Sequence, residues 1–247
     1  GSFEGVLKTK RELYEAVALK NGTLVVNGND PILKGILPKN LETVQFATSH
    51  AFVTGKLVGL TPFVQMTWSY KDYTSPALTG QMIGGYNFTN YLAAITFGKI
   101  FDVSNEDISA AVQEYTPTNN RSQVQKSEKN TLIIDCYNAN PTSMTSALES
   151  FQMMPSSQKI FIIGDMRELG ADSEEEHEKI LDLIKKHELT GYTVGSEFGK
   201  FDSTSVLKHF EDATVAKEYF TDNEIKNAFV LLKGSRGIAL EKLLDVL

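Results

Sequence analysis

Three short segments of this chain carry the residue types that handle anionic or polar substrates. They are Asp135-Cys136-Tyr137-Asn138-Ala139-Asn140-Pro141, Gly164-Asp165-Met166-Arg167-Glu168-Leu169-Gly170 and Lys233-Gly234-Ser235-Arg236-Gly237. Each follows a short apolar run, and open α/β sheets bind ligands outside the carboxyl ends of their strands. Asp135 ends such a run; its carboxylate suits the hydroxyl pair of a ribose or the cap of a following helix. Asn138 and Asn140 suit contacts to a polar substrate or a turn before Pro141. Lys233, Ser235 and Arg236 offer cations, a hydroxyl and backbone N–H groups to a phosphate or carboxylate, or form a solvated charged turn. Asp165 and Glu168 read as an acidic pair on a binding loop or as surface residues beside Arg167. Cys136 reads as a small core residue, because no base is placed to activate it. His177, beside Glu174 and Glu178, reads as a solvated side chain.

The elements that must position these segments follow from periodicity. Residues 131–137, 159–164, 191–195 and 228–232 are apolar runs of strand length, and a weaker one lies at 214–219. Helical spacing appears at 143–154, 174–188, 205–210, 222–226 and 238–246, with Ser173 and Glu176 placed as a capping box. Five strands alternating with helices predict a doubly wound, mostly parallel sheet. Upstream, the pattern predicts helices from 9, at 90–100 and at 106–115. It also predicts strands at 22–26 and 43–48 and an antiparallel pair at 52–58 and 63–70, with Trp68 packing the hairpin. The polar stretch 117–130 reads as an interdomain linker. The predicted organisation is two α/β domains, 1–120 and 121–247.

Composition narrows the function. Of 247 residues, 31 are acidic and 24 basic, a net charge of -7, which argues against a general nucleic-acid or anionic-membrane binder. One cysteine excludes an intramolecular disulfide and any multi-cysteine metal site. The four histidines show no metal-ligand spacing. No apolar run reaches the roughly 20 residues of a membrane span, so no membrane insertion is expected. The chain starts without methionine or signal peptide, which reads as trimming or excision from something longer. No phosphate-loop or dinucleotide fingerprint is present. Pattern alone stops at a two-domain α/β protein that is a candidate binder of a nucleotide or a carboxylate.

The motifs narrow it further. Residues 135–144 resemble the D-x-Y-N-A-N-P-x-S-M signature of the Mur ligase family, in the branch that adds D-alanyl-D-alanine. Residues 164–170 followed by His177, and Lys233-Gly234-Ser235-Arg236, resemble the family's G-D-M-x-E-L-G with its later His and its K-G-S-R, in family order. Residues 85–94 resemble the G-x-N-x-x-N-x-x-A-A helix of the ATP-binding central domain, with Tyr86 where the family usually has His. Arg121-Ser122-Gln123 resembles an R-x-Q motif.

The resemblance implies a partial central ATP-binding domain followed by a complete Rossmann-like C-terminal domain. The N-terminal UDP-sugar domain, the phosphate loop and the metal-binding Glu and His would lie upstream. It further implies Asn87, Asn90 and Asp135 as nucleotide contacts and Arg121 as the cation on the terminal phosphate. Lys10 would be the lysine that is carbamoylated near Mg²⁺ in several family members. Asn138, Asn140, Asp165, Glu168, Lys233, Ser235 and Arg236 fall on the substrate side. The implied reaction is cytoplasmic: ATP activates the carboxylate of a UDP-N-acetylmuramoyl-tripeptide, and the amine of D-alanyl-D-alanine attacks it. Domain closure, with 117–130 as hinge, would exclude water from the acyl phosphate. The isolated chain is expected to be inactive. Folylpolyglutamate synthase-like ligases lack the D-x-Y-N-A-N-P run. A non-catalytic nucleotide- or peptide-binding module is the competing reading.

Overall fold

The computed structural model describes residues 3–60, 62–156 and 158–247. They form two compact units, Gly1–Gly80 with Gly85–Tyr115, and Gln81–Gly84 with Thr116–Leu247.

In the first unit, α1 (Phe3–Leu19) leads to β1 (Thr23–Asn27), a short α2 (Pro31–Gly35), β2 (Glu42–Ala47), β3 (Val53–Gly59), β4 (Gln65–Tyr70), β5 (Tyr73–Thr74) and β6 (Leu78–Thr79). Helices α3 (Tyr86–Ile100) and α4 (Asn105–Glu114) follow. The sheet runs β1-β2-β3-β4-β5, with β6 also on β4; β1 to β3 are parallel and β3–β4 is the expected antiparallel pair. Trp68 is fully buried on β4 and its Nε1 donates to Ser109 Oγ at 3.3 Å. The sequence reading missed α2. It starts because the Asp30 side chain accepts from the Ile32 and Leu33 amides and Pro31 occupies the first turn.

The second unit is a six-stranded sheet of order β11-β10-β9-β12-β8-β7. Its strands are β7 (Gln123–Lys126), β8 (Thr131–Asp135), β9 (Lys159–Gly164), β10 (Thr190–Val194), β11 (Val206–Phe210) and β12 (Phe229–Lys233). All neighbours are parallel except β7, which pairs antiparallel with β8. The middle strands are unbroken apolar runs because helices α5 (Pro141–Gln152), α6 (Ser173–Lys186) and α7 (Ala213–Asp222) accompany them, as parallel sheets require. Leu132, Ile134, Ile162, Val230 and Leu232 form one core with Phe210, Phe220 and Leu243.

Several expectations for this unit are corrected. Residues 123–126, read as linker, are an edge strand. Residues 205–210, read as helix, are the opposite edge strand, and 214–219, read as strand, lie inside α7. Asp212 starts that helix by accepting from the Thr214 and Val215 amides. Its buried residues Ala213, Ala216 and Phe220 have helical spacing. The helix predicted at 222–226 is absent, because α7 ends at Asp222. The predicted closing helix is two short 3-10 turns, Arg236–Ile238 and Leu240–Leu243, broken at Ala239 with φ 60°. Ser173 does not cap α6; it is the helix's first residue and its hydroxyl donates to Glu197 Oε2 at 2.7 Å.

Candidate functional site

Strands β8, β12 and β9 are adjacent and parallel, so the three chemistry-bearing segments emerge side by side at one edge of the second sheet. The register decides what they do first. Lys233 and Asp135 are direct cross-strand partners at the ends of β12 and β8. Their side chains meet, with Lys233 Nζ 2.5 Å from Asp135 Oδ2, and Lys233 is only 1% exposed. The same ammonium lies 3.4 Å from the Asn138 carbonyl oxygen. The other carboxylate oxygen, Asp135 Oδ1, accepts the Ser122 amide at 3.1 Å. A cation expected at the ligand surface is thus buried in an ion pair. The carboxylate expected to face a ribose is engaged inside the protein through both oxygens.

Three arginines are exposed at this edge, Arg121, Arg167 and Arg236, and two of them share an aromatic neighbour. The Arg121 guanidinium stands 3.7 Å from the centroid of the Tyr137 ring, and that of Arg236 stands 5.6 Å away. Tyr137 is itself half-exposed. Two cations from distant stretches of sequence therefore share one aromatic platform, an arrangement suited to a phosphate or carboxylate.

The remaining polar residues mostly build the edge. Asn140 caps α5, accepting the Ser143 amide at 2.9 Å in a reciprocal box completed by the Ser143 hydroxyl. Asn138 is exposed and its Oδ1 accepts the Ala139 amide. Ser235 Oγ accepts the Arg167 amide at 2.8 Å, while the Ser235 amide donates to the Asp165 carbonyl, stitching the β12 loop to the β9 loop. Asp165 is buried and its two oxygens accept the Glu197 and Phe198 amides. Glu168 is exposed, with φ 74°. The segment 165–171, Ser173, Glu174, Ser196, Glu197 and Lys200 line an open cleft of about 440 Å³. Glu197 is held below the usual carboxylate range by its bonds to Lys200 and Ser173.

His177 is another correction. It is fully buried, because α6 turns it under the β9 loop rather than toward water. Nδ1 lies 2.6 Å from the Ser173 carbonyl oxygen and therefore carries the proton; Nε2 accepts the Met166 amide at 3.0 Å. Cys136 is buried as expected, and burial, reinforced by the neighbouring Asp135 carboxylate, pushes its thiol far above the ordinary range.

In the first unit, Asn87 is buried on α3 and its Oδ1 accepts from Asn90 Nδ2 at 2.9 Å. Lys10 is exposed on α1. Among the described residues no three His, Cys, Asp or Glu side chains converge as a metal site. Sequence reasoning missed Tyr137 as a platform, since nothing in one dimension sets Arg121 and Arg236 beside it.

The second unit is a six-stranded, mostly parallel sheet with its polar loops on the carboxyl edge. Residues 120–236 match the family described as "Mur ligase, glutamate ligase domain". That match lies within the second unit, which thus carries a Mur ligase domain. The chain is similar to the UDP-N-acetylmuramoyl-tripeptide–D-alanyl-D-alanine ligase of Bacillus subtilis, 26% identical over 98% of this chain and 54% of that protein. The ligase of the same name from Treponema pallidum is 31% identical over 65% of this chain and 36% of that protein. Among solved structures, MurF from Acinetobacter baumannii superposes with a TM-score of 0.81 at 25% identity, covering 99% of this chain and 55% of that one. The MurF ligase of Thermotoga maritima in complex with ADP shares the fold, with a TM-score of 0.76 at 19% identity, over 92% of this chain and 53% of that one. The chain spans about half the length of the curated relatives it matches.

Proposed function

We propose that this chain forms part of an ATP-dependent ligase that joins D-alanyl-D-alanine to UDP-N-acetylmuramoyl-tripeptide. The first unit belongs to the ATP-binding domain, with Asn87 and Asn90 on its nucleotide side, and the second unit is the C-terminal domain. The observation that carries the reading is the pair of exposed guanidiniums, Arg121 and Arg236, converging on Tyr137 at the carboxyl edge of the second sheet. ATP supplies the phosphoryl group that activates the tripeptide carboxylate. Arg121 stabilises charge developing on that group, since a preorganised cation acts where charge develops. Arg236 grips the free carboxylate of the incoming dipeptide, which a planar guanidinium matches with two parallel hydrogen bonds. The cleft lined by Glu168 and Glu197 opens at the β9 loop, next to the β12 loop that carries Arg236, and is the candidate site for the rest of the acceptor. The reading carries a cytoplasmic location with it; no helix among the described residues is long and apolar enough to cross a membrane.

The test is a ligation assay on the full-length gene product, with mass spectrometry of the product. Formation of the UDP-muramoyl-pentapeptide only when ATP, tripeptide precursor and D-alanyl-D-alanine are all present supports the ligase. Nucleotide or peptide binding without condensation would instead make the chain part of a non-catalytic module.

A further inference from the structure

The third arginine of the edge, Arg167, has a fixed backbone and an uncommitted charge. Ser235 Oγ accepts its amide at 2.8 Å, and the Ser235 amide donates to the Asp165 carbonyl at 3.2 Å. His177 Nε2 accepts the preceding amide, that of Met166. The β9 loop is thus tied to the β12 loop at the residue before Arg236 and to α6 beneath it. The Arg167 guanidinium lies over Gly237, the residue after Arg236: a methyl group on Gly237 would collide with Arg167 Nη1 and stand 2.7 Å from Cζ. Glycine leaves the room that the guanidinium fills. Arg167 also lines the 440 Å³ cleft, so it stands between that cleft and Arg236. The cations among the lining residues are Arg167 and Lys200, and Lys200 is paired with Glu197 at 2.9 Å. Among the described residues Arg167 makes no ion pair, although Glu168 and Glu174 line the same cleft.

We infer that Arg167 is a further substrate-binding residue, which together with Arg236 clamps the free carboxylate of the D-alanyl-D-alanine acceptor. The inference rests on the ligase reading and deepens it by naming a second group that selects the acceptor. A carboxylate has two oxygens and about four acceptor directions, enough for two guanidiniums at once. Each guanidinium presents a planar fork of donors that matches it. Both forks spring from backbone that the Ser235 hydrogen bonds hold together, so little ordering remains to be done when the ligand arrives. An anionic group that enters beside Glu168, Glu174 and Glu197 is repelled by them and meets the cleft's unpaired cation at Arg167, on the side next to Arg236. The dipeptide is therefore gripped by its carboxylate at the mouth of the cleft, and an acceptor without that charge loses both contacts.

Steady-state ligation by the full-length gene product, with the acceptor varied, tests the clamp. Arg167 is exposed and its amide keeps its bond to Ser235 whatever the side chain, so Arg167→Ala is expected to fold. It is expected to raise the KM for D-alanyl-D-alanine about tenfold, the low end for a charge-assisted pair because the cation is exposed. The kcat and the KM for ATP are expected to stay within about twofold of wild type, since the loss is one of acceptor binding. Arg167→Lys keeps the charge without the fork and is expected to fall between the two. Gly237→Ala pushes the guanidinium aside and is expected to raise the same KM. Added to Arg167→Ala it is expected to raise it no further, because nothing remains to be displaced. D-alanyl-D-alaninamide, which lacks the carboxylate, is the control: with it the KM values of wild type and Arg167→Ala are expected to agree within about twofold. A KM for D-alanyl-D-alanine that Arg167→Ala leaves unmoved would overturn the clamp. So would an equal penalty with the amide, which would give the guanidinium another partner. No condensation by the wild type would sink the ligase reading and the clamp with it, whereas condensation indifferent to Arg167 sinks the clamp alone.

Discussion

Replacing Tyr137 by alanine removes the platform that Arg121 and Arg236 share, and the structure sets the size of the effect. Arg121 sits 3.7 Å from the ring centroid, well inside the range of cation–π attraction, whereas Arg236 at 5.6 Å lies near its outer limit. Tyr137 is 42% exposed, so neither contact is strongly desolvated. Exposed pairs of this kind are worth about 0.5–1 kcal/mol, which places the loss for Arg121 at roughly two- to fivefold. The contribution from Arg236 falls below that. Tyr137→Ala in the full-length ligase is therefore expected to lower kcat by roughly two- to fivefold and to raise the KM for D-alanyl-D-alanine by less. Tyr137→Phe keeps the π face and is expected to retain most of the wild-type rate. Steady-state kinetics with each substrate varied in turn measures both. If phenylalanine is as damaging as alanine, the hydroxyl matters and the platform argument is wrong. A loss of a thousandfold in the alanine variant would refute it as well, because two exposed cation–π contacts are too weak to account for that.

Other consequences follow from the edge itself. His177→Leu leaves the Met166 amide and the Ser173 carbonyl without their buried partner, and chemical denaturation is expected to show a loss of about 2–3 kcal/mol. A loss under half a kcal/mol would mean that the histidine is not holding the loop. Gly195 has φ 115°, and a methyl group there would run into the Asp165 carboxylate that holds the Glu197 and Phe198 amides. Gly195→Ala is expected to cost about 2–4 kcal/mol on the same measurement, from strain and lost hydrogen bonds. His209, whose Nδ1 lies 3.0 Å from Thr193 Oγ1, has its pKa lowered by burial. The unfolded chain therefore binds this proton more tightly, so stability present above about pH 6.5 declines as pH falls through that value. His209→Gln is expected to flatten this part of the stability–pH curve, and an unchanged slope would assign the dependence to other groups. The 247-residue chain alone contains no phosphate-loop sequence and is expected to give no ligation product; measurable turnover would show that this half suffices.

What the sequence made legible depended on burial. Strands β8, β9, β10 and β12 lie in the sheet interior, and their unbroken apolar runs identify them within a residue or two. The edges were misread for the same reason. Strand β11, Val206–Phe210, has Leu207 and Lys208 exposed and loses the apolar signature, while β7 reads Gln-Val-Gln-Lys and passes for a linker. Helix α7 carries β-branched Thr214 and Val215 in its first turn, which suggest a strand. The Asp212 cap and the 213, 216, 220 spacing were the stronger signal. At the site, the loops and their common edge were legible because strand order and Gly- and Asn-rich turns point there. The fate of each side chain was not. Whether Lys233 faces a ligand or Asp135 depends on the β12–β8 register, and β12 and β8 lie almost a hundred residues apart in the chain. His177 looked solvated between two glutamates because its partners, the Met166 amide and the Phe198 ring, come from two other loops.

Arg121 and Arg236 are proposed to act at one edge on two different anions. Steady-state kinetics of Arg121→Ala and Arg236→Ala in the full-length ligase test it directly. Arg121→Ala is expected to lower kcat by about a hundredfold or more with little change in either KM, as loss of transition-state stabilisation does. Arg236→Ala is expected to raise the KM for D-alanyl-D-alanine by roughly ten- to a hundredfold, the worth of one charge-assisted pair, and to leave the KM for ATP unchanged. If both substitutions move only the KM for ATP, the edge serves the nucleotide alone and the acceptor site lies elsewhere.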